Sequence, residues 1–222
     1  MQPYAILLIH GFGGGLWELA PLEQDLNTLG FCCRSFTLPG HDENGRIHDI
    51  HSAEPFGNAV LKEYDLLSLQ GLPVIVIGFS MGALLAAWLD SVRSPKSLVL
   101  INTPIDIGQP MAVLHWLKAD AEHKNLRYTQ MMLQNALRQR PEVNLLFLKV
   151  RKRFLPALKH VKVPVFLAQS QWDETVQPRS VKKAAEMLKS DKITLQIYPN
   201  SRHHLCDGPD YPQFLQDLLA FF

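Results

Sequence analysis

Six short runs, five of them rich in Val, Ile and Leu, recur along the chain, and amphipathic stretches separate most of them. The apolar runs cover residues 4–11, 31–40, 72–80, 96–104, 163–170 and 193–199. Each is bounded by Gly or Pro and is too short for a buried helix, so each reads as a strand apolar on both faces. The intervening stretches 16–30, 52–71, 81–92, 178–190 and 210–222 show helical spacing. Strands alternating with helices demand parallel strands joined by crossovers. The expectation is an α/β fold, a doubly wound, mostly parallel sheet of about six strands.

Residues 105–160 break the alternation. They contain several helical patterns and no good strand, and they far exceed an ordinary connection. The predicted organisation is therefore a core of residues 1–104 and 161–222, with residues 105–160 inserted as a small helical cap. That cap should lie over the strand C-terminal ends, where open α/β sheets bind ligands. At 222 residues, the chain suits one such domain.

A net charge of +1 argues against a nucleic-acid partner or a polybasic membrane contact. The one dense basic run, residues 149–154, reads as a solvated helix face. No apolar run approaches the roughly 18 residues of a spanning helix, which predicts no stable membrane insertion. The N-terminus runs straight into a strand and does not read as a signal peptide. Cys32, Cys33 and Cys206 are odd in number, and two are adjacent. They fit reduced thiols in a cytoplasmic protein better than a disulfide framework.

The chemistry concentrates at "VIVIGFSMGALLAAW", residues 74–88. Gly78, Ser80 and Gly82 form G-x-S-x-G between a strand and a helix. Ser80 has two readings there: an ordinary helix N-cap, or a nucleophile raised on a tight strand-to-helix turn that needs tiny neighbours. The strand, the helix and both glycines favour the nucleophile. Such a serine needs a base, an acid to orient it, and donors for an oxyanion. The donors are expected at the N–H of Met81, directly after the serine, and in the "HGFGGG" loop, residues 10–15, where Phe12 is placed to donate. The glycine loop has other readings, as a helix cap or a phosphate cradle, but no Lys-Ser/Thr pair follows it. Asp173 stands just past the fifth strand, with Glu174 beside it. His203 and His204 lie in the loop after the sixth. The chain order Ser80, Asp173, His203 is the one this architecture uses.

These residues together resemble the α/β-hydrolase superfamily, and within it the small bacterial carboxylesterases and monoacylglycerol-lipase-like serine esterases. "HGFGGG", "LPGH", "GFSMG", "QSQWDETV" and "NSRHH" fall in that family's order from Ile6 onward. By matched positions the resemblance implies Ser80 as nucleophile, Asp173 as acid, His203 as base, and Phe12 and Met81 as the oxyanion hole. It implies hydrolysis of short- to medium-chain or monoacylglycerol-like esters through an acyl-enzyme. The partner is a small-molecule ester, and neither a metal nor an organic cofactor is required. The same triad serves thioesterases and carbon–carbon bond hydrolases, and the fold also serves non-catalytic ligand receptors, so those readings stay open. Dehalogenases and epoxide hydrolases carry an aspartate where Ser80 stands.

The sequence departs from the family pattern in three ways. Ser201-Arg202-His203-His204 replaces the usual S-G-H, with His203 the base by motif position. The family's first two strands have no counterpart. Trp172 adds bulk directly before the acid. Gly11, Trp17 and Trp172 are candidate pocket residues, and Met111, Trp116, Leu117, Met131, Met132 and Leu133 are apolar candidates from the cap. His10 and His41 read as loop braces.

Overall fold

The computed structural model describes residues 4–122, 126, 129–130 and 141–222. Its sheet has six strands in the order β2-β1-β3-β4-β5-β6, every neighbouring pair parallel. The strands are β1 Ala5–Ile9, β2 Cys32–Ser35, β3 Val74–Phe79, β4 Ser97–Ile101, β5 Val165–Ser170 and β6 Ile193–Tyr198. Seven α-helices are described: α1 Ala20–Thr28, α2 Glu54–Ser68, α3 Met81–Asp90, α4 Pro110–Glu122, α5 Pro141–Phe154, α6 Arg179–Met187 and α7 Tyr211–Phe221.

Successive side chains on a strand point to opposite faces, and the core divides accordingly. Ala5, Leu7, Ile9, Val74, Val76, Leu98 and Leu100 face a cluster containing α2, α3, α5 and α6 residues. Ile6, Leu8, Ile75, Ile77, Val99 and Phe166 face a second cluster built from α1 and α7. β1, β3 and β4 are buried along their whole length, which explains their largely apolar sequences. β2 lies at one edge of the sheet, pairs with β1 alone and is only partly buried, in keeping with Arg34 and Ser35 in its sequence.

The predicted helix over 16–30 splits in two. Pro21 has no N–H for an intrahelical bond, so residues Leu16–Glu18 form a 3-10 turn and α1 begins at Ala20 with proline in its first turn. That break matters later, since it turns Glu18 inward.

Between β4 and β5, the described residues contain α4, α5 and a 3-10 turn at Leu155–His160, with no strand. Leu146, Val150, Phe154 and Leu158 lie in the same buried cluster as α2 and α3, and Trp88 packs its ring against Phe154 at 5.4 Å. In the basic run, Arg151 reaches back to donate to the Pro104 carbonyl at 3.0 Å and to that of Ile105. Lys152 and Arg153 remain exposed. Among the described residues, no helix is long and apolar enough to cross a membrane.

Candidate active site

The turn from β3 into α3 is forced by missing side chains. A Cβ on Gly78 would stand 2.2 Å from the Gly82 carbonyl oxygen, and one on Gly82 would stand 2.1 Å from that of Ile9. Neither site has room for a methyl group. Between them Ser80 adopts φ 53°, ψ −118°, a backbone region costly for a residue with a Cβ. Its N–H donates to the Ile101 carbonyl at 2.8 Å, which ties the turn to β4. Ser80 occupies the cap position of α3, but its hydroxyl makes no capping bond. It lies 3.2 Å from His203 Nε2 instead.

His203 is held from behind. Its Nδ1–H donates to Asp173 Oδ2 at 2.7 Å. The other carboxylate oxygen, Oδ1, accepts the N–H groups of Thr175 and Val176 at 2.8 and 2.7 Å, and the Asp173 side chain is wholly buried. Burial disfavours the His203 imidazolium, but the charges of Asp173, Glu174 and Glu18 outweigh it, and its pKa lies above the usual histidine value. Glu174 does not face Ser80. It pairs with Arg202 at 3.1 Å and accepts the His203 N–H at 3.3 Å. His204 points away too, its Nε2 3.5 Å from Glu18 Oε1. Burial and the neighbouring His203 hold the His204 pKa below the usual value.

Asn102, at the end of β4, carries weight that the sequence did not announce. Fully buried and at φ 49°, it donates to the His203 carbonyl at 2.6 Å and accepts the Ser170 N–H at 2.8 Å. It thereby links the loops after β5 and β6. Its one signal in the sequence is a polar residue directly after the apolar stretch 98–101.

The glycine loop after β1 is fixed by side chains. The Leu38 N–H donates to His10 Nε2 at 2.9 Å, so the His10 proton sits on Nδ1, which donates to the Gly11 carbonyl at 2.8 Å. Burial pushes the His10 pKa down to about 4, in keeping with a neutral ring. The Gly11 N–H donates to Glu18 Oε2 at 2.8 Å, and the Gly13 N–H to His41 Nε2 at 3.0 Å. The Phe12 N–H takes part in none of the described hydrogen bonds, and its ring packs on Phe147 at 5.3 Å and His41 at 6.0 Å. Met81 is buried at the first position of α3, where an N–H has no intrahelical acceptor. Glu18 was missed in the sequence, because an acid in an amphipathic stretch reads as solvent-facing.

Gly11 is buried against the serine turn, and an added Cβ would stand 3.3 Å from Ser80 Cβ. Trp17 is half exposed with its ring 5.1 Å from that of His204. Trp172 stacks on His115 at 4.0 Å, and its carbonyl accepts Trp116 Nε1–H at 2.9 Å. Helix α4 is thereby joined to the loop carrying Asp173, and Arg202 lies 5.2 Å over the Trp116 ring. Met111 and Leu117 are exposed on α4. Met131, Met132 and Leu133 lie outside the described residues. Among those described, no cluster of His, Cys, Asp or Glu is arranged to hold a metal ion.

A strained serine between two close-packed glycines, backed by a buried aspartate after β5 and a histidine after β6, defines a class. A family model described as "Alpha/beta hydrolase family" matches residues 6–215, and the chain belongs to that family. The chain is 22% identical to a thermostable monoacylglycerol lipase from Bacillus sp. (strain H-257), covering 99% of this chain and 90% of the relative. It is 20% identical to a carboxylesterase from Bacillus subtilis (strain 168), covering 98% and 91% respectively. Among solved structures, a monoacylglycerol lipase from Paleococcus ferrophilus superposes with a TM-score of 0.71 at 19% identity, over 99% of this chain and 95% of that one.

Proposed function

We propose that this protein is a serine hydrolase cleaving carboxylic esters with short- to medium-chain or monoacylglycerol-like acyl groups. The observation that carries the reading is the continuous line Asp173–His203–Ser80, at 2.7 and 3.2 Å, ending on a serine held at positive φ. The relatives named for ester cleavage support the choice of substrate class.

In this reading His203 Nε2 takes the Ser80 hydroxyl proton as Oγ attacks the ester carbonyl. Asp173 keeps the Nδ1–H tautomer and stabilises the imidazolium. Its own carboxylate is steadied by two backbone N–H groups. The Phe12 and Met81 N–H groups bind the tetrahedral oxyanion, and one such donor is typically worth about 3 kcal/mol. Collapse breaks the C–O bond, and His203 passes its proton to the departing alcohol. Water then attacks the acyl-Ser80 ester with the same base, releasing the carboxylic acid and restoring Ser80. α4, joined to the Asp173 loop through Trp116 and Trp172, belongs to the cap that shapes the acyl site. The three free thiols support a cytoplasmic location.

Replacing Ser80 with alanine should leave the melting temperature nearly unchanged and lower kcat on 4-nitrophenyl butyrate by about 10⁴-fold or more. An undiminished rate would sink the assignment. Because neutral His203 is the active form and its pKa is raised, kcat/KM should fall on acidification with an inflection above pH 6.5, the ordinary histidine value. Asp173→Asn should shift that inflection down. An inflection insensitive to Asp173 would detach the pair from the chemistry.

A further inference from the structure

We propose that Glu18 and His41 are positioning residues for the oxyanion site, taking the N–H groups on either side of Phe12 and so fixing the Phe12 N–H as the donor of that loop. The inference rests on the serine-hydrolase reading above and deepens it.

The loop cannot hold itself. Residues 10–15 contain four glycines, the least ordered backbone available, and donors aimed at a developing oxyanion must be fixed before the reaction. Two side chains from outside the glycine run provide the restraint. Glu18 Oε2 accepts from Gly11 N–H at 2.8 Å, and His41 Nε2 accepts from Gly13 N–H at 3.0 Å. The N–H between them belongs to Phe12.

Both supports are themselves anchored. The 3-10 turn forms when the Glu18 N–H donates to the Gly15 carbonyl at 3.1 Å, and it brings the carboxylate back under its own loop. There it is so close-packed that a Cβ on Gly14 would stand 2.1 Å from Oε2. His41 Nδ1–H donates to the Pro39 carbonyl at 3.2 Å, which leaves Nε2 as an acceptor. The loop bearing His41 lies directly on the glycines, since a Cβ on Gly45 would stand 2.3 Å from the Gly13 carbonyl oxygen. A carboxylate buried only to brace a helix would have no reason to meet this N–H. Burial raises the Glu18 pKa to about 7, and its other oxygen, Oε1, lies 3.5 Å from His204 Nε2.

The test pairs a substitution that keeps the acceptor with one that removes it at similar volume: Glu18→Gln against Glu18→Met, and His41→Gln against His41→Phe. Parent and Ser80→Ala are run alongside. Each is assayed for kcat and KM on 4-nitrophenyl butyrate, and for inhibition by an alkyl trifluoromethyl ketone, whose adduct with Ser80 places an oxyanion in the site. Melting temperatures check the fold. Glu18→Met and His41→Phe should each lose about 100-fold in kcat and a similar factor in ketone affinity, the effect of a small misplacement. KM should stay within about twofold, and the Gln variants within about tenfold of the parent in kcat.

Parent-like kcat in folded Met and Phe variants overturns the proposal. So do Gln variants that fall as far as their partners, or losses confined to KM. If Glu18→Met does not fold, the His41 pair and Glu18→Gln decide. A parent that neither turns over the ester nor takes a fluorophosphonate label on Ser80 brings down the hydrolase reading and this inference together. With an active parent and an inert Ser80→Ala, the hydrolase reading stands, and the paired variants bear on Glu18 and His41 alone.

Discussion

Two turns approach Ser80, and they are held in opposite ways. The β3–α3 turn is fixed by its own backbone: Gly78 and Gly82 touch neighbouring carbonyls, and the Ser80 N–H is tied to β4. No ionisable group takes part in those contacts. The loop after β1 depends on His10, Glu18 and His41, three titratable side chains accepting or donating at chosen backbone atoms. A nucleophile must be placed by a strained geometry, and only rigid backbone packing sustains such strain. A donor loop has only to aim N–H groups, and buried acceptors suffice for that. The second device is more exposed to mutation and to pH.

The sharpest contrast uses two glycines with nearly equal clearances. In Gly82→Ala the added methyl meets the Ile9 carbonyl at 2.1 Å, backbone of a central strand that cannot yield. Little folded protein, or a fall in stability above about 4 kcal/mol, is expected by chemical denaturation. In Gly14→Ala the methyl meets the Glu18 carboxylate at 2.1 Å, the end of a side chain. That carboxylate can swing aside, so the fold should survive with kcat down about 100-fold. Equal stability losses in the two variants would erase the distinction between the turns.

The smallest effect concerns acid. His10 is buried neutral, with its pKa lowered to about 4 from 6.5, so the unfolded chain binds the extra proton first. Its contribution to stability is complete above pH 6.5 and is lost as pH falls toward 4. Glu18, whose pKa burial raises to about 7, works in the opposite direction over that window, so the melting temperature of the parent should decline relative to that of His10→Gln, a variant lacking the imidazole. A decline of the same depth in that variant would place its origin elsewhere.

Much of the architecture was legible because its causes are local. Each of the six strands falls within a run bounded by glycine or proline, β2 over only four residues of its run, and β3, Ser80 and α3 follow directly from "VIVIGFSMGALLAAW". Missing side chains at Gly78 and Gly82 impose the turn whatever the rest of the chain does. Local signals also misled: the helical pattern over 16–30 concealed the break at Pro21, and with it the inward turn of Glu18.

Between adjacent residues the sequence chose by motif position alone, naming Asp173 and His203. Asp173 and Glu174 stand side by side, as do His203 and His204, and both members of each pair fit the same loop. The hydrogen bond between His203 and Ser80 spans 123 positions, so the outcome depends on strand order, loop path and which side chain the packing turns inward. Asn102, Glu18 and His41 belong to the same category, since each acts on backbone atoms it meets only after folding. The sequence by itself determined the strands, the serine turn and the kind of residue at each strand end, because these follow from spacing and side-chain size. Only the tertiary structure decided which buried side chains, Glu18, His41 and Asn102, hold the glycine loop and the loops around Ser80, because those pairings are made between segments that come together when the sheet closes.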